Sequence, residues 1–318
     1  MILSYLLLPI GFAMLLKGAD FLVDGASSIA KRFGVSTLVI GLTVVSFGTS
    51  APELIVNLIA SMQGNSDIAI GNILGSNIAN ILLVLGVSVA IFPMSVKNGT
   101  VWKEIPFALL AVVIMALMVN DAAIDGGAFS GLTRIDGFVL IAFFAIFLYY
   151  TFGIGKAQSV DAFSAEKITI HKYSLGRASL MIVLGLIGLT VGGKWIVDAA
   201  VLIATTLGVS QALIGLTVVA VGTSLPELAT SAVAAYKKDV DMAVGNVVGS
   251  NIFNIFWILG ASAVINPLSF SPLLMWDVFM MVFSTVLLFS FLFIGKRYVL
   301  ERWQGVCFIL IYVGYVVS

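Results

Sequence analysis

One cysteine and one histidine are all that 318 residues contain of either type. Cys307 alone excludes an internal disulfide and any CxxC thiol site. His171 alone, in the longest central loop, leaves neither a histidine metal cluster nor a histidine relay. With no Ser/His or Cys/His set, and no base beside any acidic pair, an enzyme is not expected. Charge is scarce too: Asp, Glu, Lys and Arg make up 10% of the chain, against about 25% in soluble domains. Acidic and basic residues balance to zero, so nothing attracts nucleic acid, and no long polar stretch could form a separate soluble domain.

Hydrophobic residues make up 60% of the sequence, and the mean hydropathy is +1.14. This is the composition of an all-α integral membrane protein, whose main partner is the lipid bilayer. A crossing helix needs roughly 20 apolar residues. Apolar runs between charged or Gly/Pro breaks predict ten transmembrane helices, near 2–26, 37–62, 68–92, 104–120, 133–152, 178–204, 211–235, 242–265, 273–295 and 303–317. The first run lacks a basic leader and is expected to be a retained helix. A monomer is expected to suffice for function.

The chain repeats itself at an offset of 174 residues. VIGLTVVSFGTSAPEL at 39–54 returns as LIGLTVVAVGTSLPEL at 213–228, and DIAIGNILGSNIANI at 67–81 returns as DMAVGNVVGSNIFNI at 241–255. Of the 31 paired positions 22 are identical, and the shared residues include Gly-Thr-Ser, Pro-Glu and Gly-Ser-Asn rather than generic apolar types. Two five-helix repeats are therefore expected, 1–152 and 178–318, joined by a cytoplasmic linker, 153–177. Five spans per repeat would insert the two copies upside-down relative to each other.

The basic residues agree with inversion. Thirteen of them fall in loops on one side, and Arg134 alone on the other. By the positive-inside rule the basic side is cytoplasmic, so both termini are expected outside, with the chain in the cell (inner) membrane. Lys31-Arg32 in the first copy corresponds to Thr205-Thr206 in the second, while Gln63-Gly64 corresponds to Lys237-Lys238. The charges changed places while the motifs stayed, as inverted repeats of a transporter require.

Pro52 and Pro226 sit inside apolar spans. Each lacks an N–H, so the carbonyls of Gly48 and Gly222 lose their helical donors, and Ala51 and Leu225 are expected to leave helical geometry. Bare backbone at this depth survives where it lines a cavity or is buried in protein. With Thr49, Ser50, Thr223 and Ser224 it makes an oxygen-rich surface suited to hard cations. Glu53 and Glu227 follow the breaks, and an intramembrane carboxylate is costly enough to be a functional candidate. Facing one another across the repeat interface, the two would neutralise one divalent cation. The competing reading is a pair of structural glutamates in kinked helices.

The third and eighth spans carry a polar stripe at every fourth residue: Asn72, Ser76 and Asn80, and Asn246, Ser250 and Asn254. Oxygens of Ser76, Asn80, Ser250 and Asn254 can complete a shell of about six to eight ligands. Gly71/Gly75 and Gly245/Gly249 are small-xxx-small pairs, read with Asn77 and Asn251 as packing residues. Lys17 with Asp20, and Lys194 with Asp198, are spaced to pair within their helices, and Asp67 and Asp241 suit helix starts.

GTSAPE at 48–53, GTSLPE at 222–227 and the GNxxGSN blocks at 71–77 and 245–251 resemble the cation/calcium antiporter superfamily, and within it the compact prokaryotic sodium/calcium exchangers. The resemblance covers the whole chain, without the long regulatory cytoplasmic domain of animal exchangers. It implies a central cluster of four ion sites, with calcium and sodium as transported substrates and no cofactor. Glu53 and Glu227 would bridge calcium and sodium; Thr49 and Thr223 would give backbone carbonyls to calcium. Ser50 and Ser224 would bind sodium, Ser76 and Ser250 would line the sodium sites, and Asn80 would sit beside the central one. Carbonyls of Ser46 and Ala220 match further sodium contacts. Asn254 departs from the pattern, since some exchangers carry Asp there, which bears on coupling stoichiometry and ion preference.

The expected function is calcium/sodium antiport by alternating access, with the first and sixth spans sliding against the other eight. Proton- or potassium-coupled calcium exchange uses the same cage, and a cation channel would need the same carboxylates.

Overall fold

The computed structural model describes residues 2–121, 124, 126, 130–157, 173–207 and 220–317. His171, most of the linker and the motif residues 213–219 lie outside the described residues. The apolar runs fold as helices α1 (Ile2–Phe33), α2 (Thr37–Thr49), α3 (Ala51–Met62), α4 (Ser66–Ile91), α5 (Asn98–Met118), α6 (Arg134–Ala157), α7 (Leu175–Thr206), α8 (Ala220–Thr223), α9 (Leu225–Tyr236), α10 (Val240–Ile265), α11 (Pro272–Phe291) and α12 (Arg302–Val317). Among the described residues six helices are long and apolar enough to cross a membrane, and α2 with α3, bent by 49°, makes a seventh. The chain is a mostly helical, multi-pass membrane protein.

Side chains set the helix starts. Ser36, Asn65, Ser174 and Asp239 each accept a hydrogen bond from a first-turn N–H of the helix they precede, satisfying donors that have no intrahelical partner. The α3–α4 turn contains Gly64 at φ +72°, and the α9–α10 turn holds Lys238, 174 residues later, at φ +64°. A left-handed conformation costs a non-glycine residue about 1–2 kcal/mol, so the basic residue is kept there against its backbone preference.

Glycines set the closest helix contacts. Gly11, Gly18 and Gly25 of α1 meet Gly192, Gly185 and Ala178 of α7 in antiparallel order, at seven-residue spacing on both helices. A Cβ at Gly18 would lie 2.8 Å from the Gly185 carbonyl oxygen, and one at Gly185 2.8 Å from that of Gly18. The two backbones are in direct contact, the route to helix association where lipid removes the hydrophobic drive. Gly245 and Gly249 likewise bring α10 against Leu38 and Leu42 of α2. Gly71 and Gly75 make no such approach among the described residues; the corresponding partner stretch, 212–216, lies outside them.

Two short antiparallel ladders bracket the bundle, Met94–Ser95 with Val299–Leu300 and Gly131–Leu132 with Leu268–Ser269. The strands after α4 and α10 are 174 residues apart, and each pairs with the strand that precedes α12 or α6. Gly86 of α4 correspondingly packs on Gly305 of α12, and Gly260 of α10 on Gly137 of α6.

Gly18→Val should force α1 from α7 at a cost of about 1–3 kcal/mol, lowering the melting temperature in detergent. Gly314→Ala, with open space around the added carbon and a better helix former in α12, should leave it unchanged or slightly raised. Equal effects would refute the backbone contact.

Candidate functional site

The helix breaks fall one residue before the expected position. Ser50 (φ −82°, ψ 8°) and Ser224 (φ −86°, ψ 4°) leave helical geometry, whereas Ala51 and Leu225 already begin α3 and α9. Each proline therefore occupies the second helical position, where its missing N–H is one of the donors that would lack an intrahelical acceptor anyway. Glu53 and Glu227 consequently lie in the first turn of a new helix, where the N-terminal end of the dipole favours a negative charge.

Both carboxylates are 1% exposed. Ser50 Oγ donates to Glu227 Oε1 at 3.0 Å, across the two halves, and Ser76 Oγ donates to Glu53 Oε1 at 3.4 Å. The second oxygen of each carboxylate has no protein partner. The same holds for Asn80 Oδ1, Asn254 Oδ1, Ser224 Oγ and Ser250 Oγ, all buried. Thr49 Oγ1 donates to Asn246 Oδ1 at 3.1 Å and to the Ser46 carbonyl at 3.4 Å, and that carbonyl also receives the Ser50 N–H at 3.0 Å. Thr223 is half-buried at the end of α8, the helix that Ala220 begins. Among the described residues no group of three or more His, Cys, Asp or Glu side chains could hold a metal ion, so the oxygens here are two carboxylates among hydroxyls, amides and backbone.

A second layer holds this one. Asn72 Nδ2 donates to Asn57 Oδ1 at 2.6 Å and to the Glu53 carbonyl at 3.5 Å. Asn246 Nδ2 repeats the pattern to Ser231 Oγ at 2.9 Å and the Glu227 carbonyl at 3.4 Å. Asn57 and Ser231 were not among the candidate residues; their signal is their place four residues after each glutamate, on the same helix face. The polar stripe also marks a change of helix type. π-helical turns run over Asn80–Leu85 and Phe253–Leu259, and another over Gly41–Val45 before Ser46; such turns gather at functional sites.

The remaining charges in and beside the helices pair with one another. Lys17–Asp20 (3.9 Å) and Lys194–Asp198 (2.7 Å) form within their helices. Unforeseen from spacing, Lys237 also reaches Asp20 at 2.5 Å and Asp24 at 2.7 Å, and Lys97 pairs with Asp241. Asp239, at the start of α10, accepts from Ser27 Oγ at 3.1 Å and Thr37 Oγ1 at 2.9 Å. Burial, with Asp241 adding to it, raises its pKa above the ordinary aspartate value despite these donors.

A buried oxygen-rich cluster at paired helix breaks in a multi-pass membrane protein is characteristic of the ion-transporting class. The chain belongs to the sodium/calcium exchanger protein family, which it matches over residues 3–153 and 177–318. It is 36% identical to the putative antiporter CaxA of Alkalimonas amylolytica, over 99% of this chain and 98% of that one. Its identity to the sodium/calcium exchanger MaX1 of Methanosarcina acetivorans is 33%, over 99% and 97%. The fold superposes on that of the sodium-calcium exchanger NCX_Mj soaked with 2.5 mM Na+ and 0.1 mM Ca2+, with a TM-score of 0.84, 35% identity and coverage of 100% and 99%.

Asn57→Ala should take one partner from the Asn72 amide and the side-chain donor, at 2.9 Å, from the Ala69 carbonyl, two hydrogen bonds in all. The expected loss is about 1–3 kcal/mol, read as a lower melting temperature. Ser231→Ala removes one partner of Asn246 and should cost less; the reverse order would contradict the described roles.

Proposed function

We propose that this protein is a secondary active antiporter exchanging calcium for sodium by alternating access. In this reading ten transmembrane helices form two inverted repeats, 1–152 and 178–318, with both termini outside the cytoplasm. The observation that carries it is the set of buried oxygens on Glu53, Glu227, Asn80, Asn254, Ser224 and Ser250 that receive no hydrogen bond from the protein. Buried acceptors without donors are costly, and a hard cation with six to eight oxygen ligands would satisfy them together. Two carboxylates match one divalent charge. Ser50, Ser76, Thr49, Thr223 and the carbonyls of Ser46 and Ala220 are the further ligands. Calcium and sodium are close in size, so one cage can hold either but not both at full occupancy. The empty cage, doubly negative, would not readily reorient through hydrocarbon, which makes exchange obligatory. The names of MaX1 and NCX_Mj as sodium/calcium exchangers support sodium as the counter-ion.

The moving part is the α1–α7 pair. These helices touch backbone to backbone, whereas α1 meets α9 and the α9–α10 turn through side chains: apolar ones such as Leu22 and Val23, the partly exposed Lys237–Asp20 and Lys237–Asp24 pairs, and the Ser27–Asp239 hydrogen bond. Side-chain contacts of this kind can be exchanged for others more readily than the backbone contact of Gly18 with Gly185, so the pair can slide as a unit along that surface. Cross-linking Ser27→Cys to Asp239→Cys, in a Cys307→Ser background, should stop exchange until the bond is reduced; turnover in the cross-linked protein would defeat the sliding mechanism.

Radioactive calcium uptake by sodium-loaded proteoliposomes, with voltage and pH clamped, should require the outward sodium gradient. Glu53→Gln or Glu227→Gln leaves one charge facing a divalent ion, a loss on the order of 3–5 kcal/mol, or about 100- to 4,000-fold in affinity, in a protein that still folds. Uptake driven by a proton gradient alone would replace sodium with protons, and flux without any gradient would indicate a channel.

A further inference from the structure

Four asparagines join α4 to α10 in a closed two-fold pattern. Asn77 Nδ2 donates to the Asn251 backbone carbonyl at 3.3 Å, and Asn251 Nδ2 to the Asn77 carbonyl at 3.3 Å. Asn254 Nδ2 donates to Asn77 Oδ1 at 2.9 Å, and Asn80 Nδ2 to Asn251 Oδ1 at 3.0 Å. All four side chains are buried.

A backbone carbonyl can only accept a hydrogen bond, so it dictates which end of an asparagine amide faces it. Asn77 and Asn251 must therefore turn their NH2 groups to each other's main chain. Each then presents Oδ1 to the next asparagine, which can answer only with its own NH2. The amide orientation of Asn80 and Asn254 is thereby settled, and their Oδ1 atoms are the ones left without a protein partner. Those oxygens stand one helical turn beyond Ser76 and Ser250, on the same helix faces. Reversing either amide would put a donor, with its positive end, where a cation is to bind.

We propose that Asn77 and Asn251 are positioning residues for ion binding: each fixes the amide of an ion-facing asparagine in the opposite half, Asn77 that of Asn254 and Asn251 that of Asn80. The inference rests on the ion-cage reading above. It also changes the meaning of the Gly-Ser-Asn motif, whose asparagine becomes the part of the cage that selects oxygen over NH2. Because the coupling runs across the halves, the ligands of one repeat depend on the sequence of the other.

The test is a set of double-mutant cycles on the purified full chain in detergent. The calcium-dependent rise in melting temperature reports affinity, and the calcium-free melting temperature reports folding. Asn77→Ala and Asn254→Ala should each weaken calcium binding about 10-fold. The Asn77→Ala/Asn254→Ala double should be no weaker than Asn254→Ala alone, because the residue being oriented is gone. Asn77→Ala/Asn80→Ala should instead multiply, to about 100-fold. Asn251→Ala should show the opposite preference, coupling to Asn80 and not to Asn254. Multiplication in every pair would overturn the positioning role and leave Asn77 and Asn251 as packing residues. Unchanged affinity in Asn80→Ala and Asn254→Ala would overturn the cage reading together with this one. Should Asn77→Ala not fold, Asn77→Ser keeps a donor near the Asn251 carbonyl, and the same cycles on that variant support or overturn the proposal by the same outcomes.

Discussion

A carboxylate surrounded by hydrocarbon must find its compensation inside the protein, because lipid offers neither donors nor counter-charge. Here that constraint falls on Glu53 and Glu227, and the local structure answers it in layers. The helix stops at Ser50 and Ser224 and restarts with proline at its second position, which places each glutamate at the positive end of a new helix dipole. Without the break the same residue would sit in mid-helix with no such field. One hydroxyl then meets one oxygen of each carboxylate, and for Glu227 that hydroxyl, Ser50, comes from the other half. The remaining oxygen is what the proposed ion would meet.

The close backbone approaches serve this arrangement. A Cβ at Gly249 would lie 2.7 Å from the Leu42 Cα, and one at Gly245 2.8 Å from the Leu38 carbonyl oxygen. A side chain at either position would hold α2 off α10, and Thr49 at the end of α2 would lose its 3.1 Å hydrogen bond to Asn246. Asn246 in turn bonds the Glu227 carbonyl. Small residues in the packing seam are thus one step removed from the carboxylate, not a separate stability feature.

Much of this was legible because polar residues in an apolar sequence are few and their repetition is unambiguous. The paired breaks, the two glutamates and the serine–asparagine stripes stand out against Leu and Val at an offset of 174. Four features were less legible. The break lies at Ser50 rather than Ala51, because a proline at the second helical position lets its predecessor stay helical, which the preference of a pre-proline residue does not anticipate. Gly11, Gly18 and Gly25 are spaced by seven, a visible pattern, but which helix they meet is a tertiary fact. The bond from Lys237 to Asp20 joins residues 217 apart, and no spacing rule within one helix reaches that far. Lys238 takes a positive φ where the corresponding turn uses Gly64, a backbone conformation that residue type does not announce.

The halves repeat in sequence and in their asparagine hydrogen bonds, yet the serine bonds to the two glutamates do not repeat in this structure. The serine hydroxyls that donate to Glu53 and Glu227, Ser76 and Ser50, belong to the first half, and the corresponding hydroxyls in the second, Ser224 and Ser250, lack a protein partner. Nothing in the side-chain chemistry demands this, because both copies of the motif carry the same serines. The difference must come from where the surrounding helices stand. A bound cation can satisfy the second pair of serines in one arrangement, but it does not by itself explain why the two halves differ. An inverted-repeat transporter has a reason for the difference, because its second arrangement exchanges the environments of its two halves. On the proposed mechanism the present bonding belongs to one side of the cycle, and sliding of α1 with α7 hands the same roles to Ser224 and Ser250. Retaining both serine pairs then costs stability in each state but keeps the two states close in free energy, which is what an exchanger that must pass through both requires.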